Sequence, residues 1–381
     1  MNLVFISNYF NHHQEPLSDA FLTTIKGQYF FLSTETMGPE RKKLGWTDSV
    51  NTSYVYTADG KTEDIILQQA DAIIAGSTPE TLVRQAIRTN KLIFRYSERP
   101  LKAGDEPIKY PIRFVRWHYR NPRGKPIYLL CASAFTAGDY NRFGLFRNRS
   151  YKWGYFPETR RYLDLNTLFE KKEKATLLWC GRFLEWKHPD DALCIAQRLK
   201  QAGVSFTLKL IGTGPLDEAL HQQAEADGLS DCVQFLGTMP PEEVRDVMEQ
   251  SGIFLFTSDR QEGWGAVMNE AMNSGCAVVA SDAAGSVPYL VQPGENGLVY
   301  PSGNVDALYE KAKWLLEHPD QQQKIGEAAY HTITELWNAD VAAKRFLQLS
   351  QAILGGDASP DLYESGPCSR AEVIEEDWFQ E

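Results

Sequence analysis

The sequence has no uninterrupted apolar run of about 18 residues, the length that a helix needs to cross a membrane. Its first residues, 1–6, also lack the basic flank and long apolar stretch of a signal peptide. The six cysteines include no C-x-x-C pair, so neither a disulfide framework nor a structural zinc site is indicated. The motifs D-x-D and H-E-x-x-H do not occur, which argues against a diphosphate-bound metal and against a zinc hydrolase. We therefore expect a cytoplasmic protein that holds no metal.

The composition is that of a soluble globular protein. Hydrophobic residues make up 43% and charged residues 23% of the 381 residues, which excludes a disordered or coiled-coil chain. A chain of this length exceeds what one hydrophobic core normally supports, so two domains are expected. The formal net charge of -11 argues against nucleic acid as a partner, because phosphate binding requires a basic surface.

The charge is unevenly distributed along the chain. Residues 90–161 contain 16 basic and 5 acidic side chains, a net charge of +11. Within them Arg113, Arg116 and Arg120 recur at helical spacing, with aromatic residues between. On a helix this spacing predicts a cationic ridge beside an apolar aromatic face. We predict that residues 109–125 either dock on an anionic membrane surface, on its inner face, or form an ordinary surface helix with its apolar side in the core.

Short apolar runs alternate with helical patterns in the first half. The runs cover residues 3–6, 29–32, 72–75, 92–94 and 127–131. Helical patterns begin near Pro16 and cover residues 79–89, and proline suits the first turn of a helix. This alternation predicts a parallel sheet covered on both faces.

The second half repeats the alternation. Strands are expected at residues 176–180, 206–211, 233–236, 253–256, 277–280 and 298–299, and helices at 189–202, 215–227, 241–250 and 265–274. The predicted class is α/β with two Rossmann-like, doubly wound domains. The predicted boundaries are 1–160 for an acceptor-binding domain, 161–174 for a linker, 175–338 for a donor domain, 339–354 for a helix that crosses back, and 355–381 for an acidic tail. We expect that tail to be disordered or loosely docked.

Residues 259–272, which read DRQEGWGAVMNEAM, carry the strongest chemical signal. They follow an apolar strand, and Gly263 and Gly265 allow the backbone to turn and approach a ligand closely. The free amides of Gly265, Ala266 and Val267 then open a helix, where an anion such as phosphate is stabilised.

Two carboxylates flank this predicted phosphate site. Glu262 precedes the helix and Glu270 lies about one turn inside it, so each can accept hydrogen bonds from hydroxyls on one side of the phosphate. Hydroxyl-rich groups on both sides of a diphosphate describe a nucleotide sugar. The ordinary alternative is an acid favoured by the helix dipole together with one solvated glutamate.

A second cluster, CGRFLEWKHP at residues 180–189, follows the first strand of the second domain. Ligands of open parallel sheets bind beyond the carboxyl ends of the strands, so cations here face the same crevice. The planar fork of Arg182 suits phosphate oxygens, and Lys187 suits the charge that develops on a leaving diphosphate. Considered alone, Arg182 is equally consistent with an interdomain salt bridge and Lys187 with a surface position.

Residues 212–215, GTGP, match half of a dinucleotide-binding fingerprint. A nicotinamide-binding unit would place an acid at the end of the next strand for the ribose. That strand instead runs into Leu236, Gly237, Thr238 and Met239. A dehydrogenase is therefore disfavoured.

Taken in order, these motifs resemble glycosyltransferase family 4, whose members are retaining enzymes of the GT-B fold. The resemblance covers residues 175–297 and rests on Gly181-Arg182 with Lys187, Gly212-x-Gly-Pro, Phe235-Leu-Gly, Glu262-Gly-x-Gly, Glu270-Ala-Met and Asp282-x-x-Gly. It implies two domains facing across a cleft that holds the active site. It also implies transfer of a sugar from a nucleotide diphosphate, most often UDP, to a saccharide or lipid-linked saccharide acceptor in polysaccharide biosynthesis.

The resemblance implies a role for each motif of the second domain. Arg182 and Lys187 would bind the donor diphosphate, Glu270 the ribose, and Glu262 the sugar hydroxyls. The implied donor set is Arg182, Lys187, Gly214, Thr238, Met239, Glu262, Gly263, Trp264, Gly265, Ala266, Val267 and Glu270, with the base near residues 238 and 239. In such enzymes the leaving phosphate helps to deprotonate the acceptor, so no cofactor, metal or separate protein base is expected.

The first domain departs from the family pattern. Its first loop, residues 8–14, reads NYFNHHQ where relatives carry glycines, which implies a different acceptor pocket. Where many relatives place a histidine beside the sugar, this chain has RYSER, so Glu98 or Arg99 faces the sugar there, or His13 does so from the first loop. The predicted catalytic residues are Glu262, Lys187, Arg182, Glu98 and His13.

Two other functions are consistent with the same motifs. A sugar-nucleotide epimerase would use the donor site without an acceptor. A non-catalytic protein that binds a nucleotide sugar or glycan would bind donor without turnover, although retention of Arg182, Lys187, Glu262 and Glu270 together argues against this alternative.

Overall fold

The chain forms two compact units, and the computed structural model describes residues 1–38, 52–104 and 106–380. The first unit comprises Met1–Glu158 and Trp337–Glu375, and the second comprises Thr159–Leu336 and Glu376–Glu381. Each unit contains one parallel sheet with helices connecting its strands. The predicted α/β class with two doubly wound domains is therefore confirmed.

The first sheet has the strand order β3-β2-β1-β4-β5-β6-β7. Its strands are β1 (Leu3–Ser7), β2 (Tyr29–Ser33), β3 (Val55–Thr57), β4 (Ala72–Ala75), β5 (Leu92–Ser97), β6 (Ile127–Cys131) and β7 (Ser150–Lys152). The helices between them are α1 (Glu15–Thr24), α2 (Thr62–Gln69), α3 (Glu80–Arg88), α4 (Tyr110–Arg120, after a 3₁₀ turn at Pro107–Lys109) and α5 (Thr136–Asn141). The chain leaves β1 in one direction to β2 and later returns on the other side to β4. This reversal opens a crevice at the carboxyl ends of β1 and β4.

Burial on both faces explains why these strands read as continuous apolar runs. All five residues of β1 are buried, and Val4 and Ile6 pack with Leu32, Ile73 and Ile93 of neighbouring strands. Each fully buried aliphatic side chain contributes about 1.5–3 kcal/mol to folding. The five strands predicted in this half are present, whereas the edge strands β3 and β7 were missed because three residues carry too short a pattern.

The second sheet has the strand order β10-β9-β8-β11-β12-β13. Its strands are β8 (Glu173–Cys180), β9 (Thr207–Ile211), β10 (Val233–Gly237), β11 (Ser251–Phe256), β12 (Ala277–Ser281) and β13 (Leu298–Tyr300). Its helices are α6 (Leu165–Glu170), α7 (Pro189–Gln201, after a 3₁₀ turn at Glu185–Lys187), α8 (Asp217–Ala226), α9 (Pro241–Gln250), α10 (Ala266–Asn273), α11 (Val287–Leu290), α12 (Val305–Glu317) and α13 (Pro319–His331), followed by a π-helical turn at Thr332–Leu336. The strand order reverses between β8 and β11, so the switch point of this sheet lies between them. The two predicted donor clusters follow the carboxyl ends of these two strands.

The predicted linker, residues 161–174, is wrong. These residues belong to the second unit, where α6 buries Leu168 and Phe169 against Tyr330. Lys172 is also buried, and its Nζ donates to the backbone oxygens of Met248 and Ser251 at 3.1 and 2.7 Å. Burial lowers the pKa of this ammonium. The charge run at 170–174 resembles a solvated boundary, but one of its lysines serves as an internal hydrogen-bond donor.

The last long helix, α14 (Ala339–Leu354), belongs to the first unit, as the predicted crossover requires. It packs along α1, and the ring of its fully buried Phe346 lies 5.4 Å from Phe21 and 4.7 Å from Phe94.

The expectation of a disordered or loosely docked tail is wrong for its central part. The segment around Arg370 pairs antiparallel with the edge strand β7: Lys152 N donates to Ser369 O, and Cys368 N donates to Lys152 O, both at 2.8 Å. The Cys368 side chain is buried. Composition alone suggested disorder, but the exposed edge of β7 offers backbone hydrogen bonds to this segment.

Among the helices in the described part of the chain, none combines the length and apolar character that a membrane span requires.

Candidate functional site

The central contact of the second unit joins two loops that leave adjacent strands. Lys187 lies in the loop after β8 and Glu262 in the loop after β11, and the Lys187 ammonium donates to the Glu262 carboxylate. Ser258 Oγ donates to the same carboxylate oxygen at 3.2 Å. The two charged side chains are only 14% and 15% exposed, so this ion pair is screened less than a surface pair.

Further hydrogen bonds fix the two loops to each other. Trp179 Nε1 donates to Thr257 Oγ1 at 2.8 Å, and Thr257 Oγ1 donates to the backbone oxygen of Lys187 at 2.6 Å. The Asp259 amide donates to Trp186 O at 2.9 Å. Hydrogen bonds from the loop after β11 therefore hold the backbone of Lys187 in place. Thr257 and Ser258 were not predicted as site residues, since their only signal in the sequence is their position directly after β11.

The glycine-rich segment forms a helix N-terminus, as its sequence predicts. Gly265 precedes α10 with a φ of 81°, and a Cβ at this position would lie 2.4 Å from the Phe256 ring. The amides of Ala266 and Val267 belong to the first turn, where the helix itself offers no acceptor. The Trp264 side chain is fully buried and donates to Asn269 Oδ1 at 2.8 Å. Only the backbone of Trp264 can therefore contact a ligand.

Glu270 and Lys187 act electrostatically on the same thiol. Burial raises the pKa of the Cys180 thiol to about 12; the Glu270 carboxylate adds to this rise and the Lys187 ammonium opposes it. Cys180 ends β8, so both charges lie near the carboxyl end of that strand. The structure thus brings Lys187 to Glu262, which lies 75 residues further along the chain, at the strand end near which Glu270 also lies.

Three other predicted donor residues lie directly after strands of the same sheet. Arg182 is exposed in the loop after β8. Thr238 is exposed and Met239 is half-buried, directly after β10 at the edge of the sheet. Among the described residues, no hydrogen bond or ion pair joins these three to the Lys187–Glu262 pair.

The two glycines of the GTGP segment have a packing function. A Cβ on Gly212 would lie 1.8 Å from Gly181 O, and a Cβ on Gly214 would lie 2.5 Å from Phe183 O. Backbone hydrogen bonds of 3.0 Å join the same two loops, from Gly181 N to Ile211 O and from Phe183 N to Thr213 O. These glycines let the loop after β9 support the loop that carries Arg182 and Lys187.

One group of side chains near the pair could share a cation. Ligand atoms of His188, Asp190 and Asp191 lie within 4.8 Å of one another. His188 has a left-handed backbone with a φ of 46°. Burial, reinforced by Asp190, raises the pKa of Asp191 to about 6. Both aspartates lie in the first turn of α7, where the helix dipole favours acidic side chains without any metal.

The first unit has a polar cavity of about 260 Å³ at its switch point. It is lined by Ser7, Asn8, Tyr9, Asn11, His13, Gln14, Gly76, Ser77, Tyr96, Glu98 and Tyr155. The structure thus brings to one cavity His13 and Glu98, two of the three residues that the sequence offers for a position beside the sugar. Glu98 accepts a 3.0 Å hydrogen bond from Tyr155 Oη and pairs with Lys102 at 3.1 Å.

Tyr155 and Tyr96 were missed by sequence analysis, because aromatic residues of this kind usually belong to a core. Tyr96 Oη donates to Gly154 O at 3.1 Å. Burial, reinforced by the Glu98 carboxylate, raises the pKa of Tyr96.

The alternative in which Arg99 faces the sugar is wrong. Its side chain is 2% exposed and pairs with the equally buried Asp139 at 3.3 Å. The guanidinium also lies 4.9 Å from the centre of the Phe135 ring. Because a buried ion pair that loses one partner leaves an uncompensated charge, Arg99 has a structural role.

Comparison with known proteins finds a family match within the second unit. Residues 164–332 match the family described as Glycosyl transferases group 1. The chain is 31% identical over 138 residues to the D-rhamnosyltransferase WbpZ of Pseudomonas aeruginosa, covering 36% of each protein. It is 36% identical over 138 residues to the amylovoran biosynthesis glycosyltransferase AmsK of Erwinia amylovora, covering 35% of this chain and 33% of AmsK. The matches thus span about a third of these curated relatives.

The likeness to solved structures extends over most of the chain. A crystal structure of Anabaena HepE in complex with UDP superimposes with a TM-score of 0.68 and 16% identity, covering 93% of this chain and all of that chain. At this identity the likeness shows the fold, which is GT-B.

Proposed function

We propose that this chain, whose second unit belongs to the group 1 glycosyl transferases, is a retaining, metal-independent glycosyltransferase. It moves a sugar from a nucleotide diphosphate to a saccharide or lipid-linked saccharide acceptor in the cytoplasm. The UDP complex of HepE supports UDP as the nucleotide, and the name of AmsK supports a role in polysaccharide biosynthesis.

The observation that carries the proposal is the half-buried Lys187–Glu262 pair beside the N-terminus of α10. A diphosphate at this helix end would accept hydrogen bonds from the first-turn amides and would draw on the charge of Lys187. Glu270, which lies near the same strand end as Lys187, is assigned to the ribose hydroxyls. Arg182 adds a second cation from the same loop as Lys187.

The proposed chemistry uses this chain's residues for binding and charge stabilisation. Lys187 stabilises the negative charge on the departing diphosphate, and the Glu262 carboxylate orients both the lysine and a sugar hydroxyl. The leaving phosphate accepts the acceptor proton on the same face of the sugar, which retains the anomeric configuration.

The polar cavity of the first unit supports a saccharide acceptor. Its lining offers hydroxyl, amide, phenol and imidazole groups, which both donate and accept hydrogen bonds as sugar hydroxyls require. Of its described lining residues, Glu98 is the only carboxylate and none is a lysine or arginine. We therefore propose an uncharged saccharide in this cavity, with Glu98 and His13 as its polar contacts.

We also propose that residues 109–125 lie on an anionic membrane surface. The helix α4 lies within the predicted segment, and no residue of it is fully buried. Ile108, Ile112, Val115 and Tyr119 are 87%, 71%, 68% and 64% exposed, and their spacing places them on one side of the helix. This exposed apolar stripe, next to Arg116, suits the interface of a bilayer.

The test begins with a thermal-shift screen of UDP, GDP and their sugars, since a ligand selective for the native state raises the Tm. A stabilising nucleotide sugar is then incubated with and without saccharide acceptors, and products are identified by mass spectrometry. Conversion of donor alone would indicate an epimerase, and binding without any product would indicate a non-catalytic protein. A complete lack of stabilisation by nucleotides would contradict the proposal.

A further inference from the structure

We propose that the first unit has a second site, which binds a phosphate ester, at the edge of the sheet opposite the saccharide cavity. A cavity of about 270 Å³ lies between loops 121–125 and 144–149. These loops lead into β6 and β7, so the cavity lies at the edge where strands begin. The cavity that contains Glu98 lies at the edge where strands end, so the two are separate sites.

The lining of this cavity is strongly cationic. Its charged side chains are Arg123, Lys125, Arg147 and Arg149. Of the described residues that line the cavity, none is acidic. Because like charges gathered around one space repel each other, an anion in the cavity would be stabilised by all four.

Part of this lining is rigid. Arg149 Nη1 donates to Lys125 O at 2.9 Å and so joins the two loops. The Arg149 guanidinium also lies 5.3 Å from the centre of the Tyr128 ring. The Arg149 guanidinium is therefore held in place before any ligand arrives, which lowers the entropic cost of binding.

The backbone next to Arg147 is strained. Phe146 and Asn148, on either side of it, have left-handed φ values of 56° and 58°, which L-residues with side chains rarely adopt. Such strain persists where the surrounding structure imposes it, and it is concentrated at binding sites.

A second, adjoining cavity indicates that the ligand also carries hydroxyl groups. This cavity, of about 720 Å³, shares Leu145, Phe146 and Arg147 with the cationic cavity. It adds the amides of Asn141 and Asn148 and acidic residues of the docked tail, all of which accept hydrogen bonds from hydroxyls. Arginine suits phosphate oxygens through its planar fork. The ligand class is therefore a phosphate ester of a hydroxyl-rich alcohol, either a soluble sugar phosphate or the glycerol-phosphate headgroup of a lipid.

Hydrogen–deuterium exchange on the full chain, saturated with UDP, tests this site. The two probes are glucose 6-phosphate and vesicles of equal parts phosphatidylglycerol and phosphatidylcholine, with glucose and pure phosphatidylcholine vesicles as controls at matched ionic strength. We expect slower exchange in residues 144–150 with at least one phosphate probe and with neither control, because this loop lines the cavity but lies outside the proposed membrane-facing segment 109–125. Protection by the sugar phosphate alone identifies a soluble ligand, and protection by the vesicles alone identifies a lipid headgroup.

The matched variants remove equal charge at different places. Arg123→Gln with Arg147→Gln should weaken binding of the active probe at least about tenfold, because each lost charged hydrogen bond is costly. Lys26→Gln with Lys61→Gln removes the same charge beside β2 and β3 and should leave the affinity unchanged. All four side chains are exposed, so folding should be preserved, and an unchanged Tm would check this.

Two results would overturn the proposal: no local protection with either phosphate probe, or equal affinity in the cavity variant and the wild type. The UDP-induced Tm shift, measured on the same samples, reports on the second unit, so failure of the donor site is recognised separately.

Discussion

The ammonium of Lys187 donates to the carboxylate of Glu262 although 75 residues separate them in the chain. Their strands, β8 and β11, are neighbours in the sheet, so both side chains emerge at one switch point. The pair places a cation and an anion beside the same helix N-terminus. Such an arrangement can hold a diphosphate and a hydroxyl-bearing group side by side.

Replacing Lys187 with alanine should lower kcat by about 10² to 10³, the loss expected for one group that stabilises charge in the transition state. Steady-state kinetics with the donor found in the nucleotide screen measures this. Lys209→Ala is the control, because Lys209 pairs with Glu173 in the same sheet, away from the switch point. Unchanged turnover in Lys187→Ala would remove this lysine from the mechanism.

Glu270→Ala should mainly weaken donor binding, because the residue is assigned to ribose hydroxyls that do not react. We expect the donor KM to rise about tenfold with a smaller change in kcat. The exposed Glu225 on α8 supplies the control, Glu225→Ala. A fall in kcat at constant KM would instead assign Glu270 to the transition state.

Glu98→Gln should raise the acceptor KM and leave the donor KM unchanged, because Glu98 lines the cavity of the first unit. Glutamine retains the shape and an oxygen for the Tyr155 hydroxyl but removes the charge. Kinetics with both substrates varied distinguish the two effects. If the donor KM changed instead, the assignment of this cavity to the acceptor would be contradicted.

Gly212→Ala should destabilise the second unit. The new Cβ would lie 1.8 Å from Gly181 O, at a φ of 133°, so the backbone must move. Overpacking of this kind costs about 1–3 kcal/mol, which should appear as a lower Tm. Gly138→Ala meets only ordinary contacts, the nearest at 3.5 Å, and should leave the Tm nearly unchanged. Equal Tm values for both variants would show that the two loops do not depend on this close approach.

Asp191 should make stability depend on pH. Burial raises its pKa from 3.8 to about 6, so the folded state binds a proton more readily than the unfolded state. Stability should therefore fall as pH rises from about 4 to 6. Asp191→Asn removes this penalty, so the variant should be more stable than the wild type at pH 7, by about 2–3 kcal/mol. Denaturant unfolding at pH 7 and pH 4 measures this, and the advantage should disappear at the lower pH.

Sequence alone predicted most strands because burial on both faces leaves continuous apolar runs. Residues 72–75 and 127–131 match β4 and β6 at both ends. The strand β7, which has only three residues and lies at the edge of the first sheet, was not predicted. Residues 161–174 were predicted to form a linker. In that segment the charge of Lys172 suggested a solvent-exposed side chain, whereas in the structure its ammonium donates to backbone oxygens.

The motif around Glu262 was readable because a strand, two glycines and a helix follow one another within a few residues. The order of residues in this segment therefore determined the helix N-terminus and the position of Glu270 on α10. The alternation of apolar runs and helical patterns along the whole chain determined the two parallel sheets. Only the tertiary structure decided that Glu262 pairs with Lys187, that Arg99 is buried against Asp139, and that the segment around Arg370 completes the edge of β7. The physical reason is that each of these contacts depends on which strands become neighbours, and strand order is set by packing over the whole sheet.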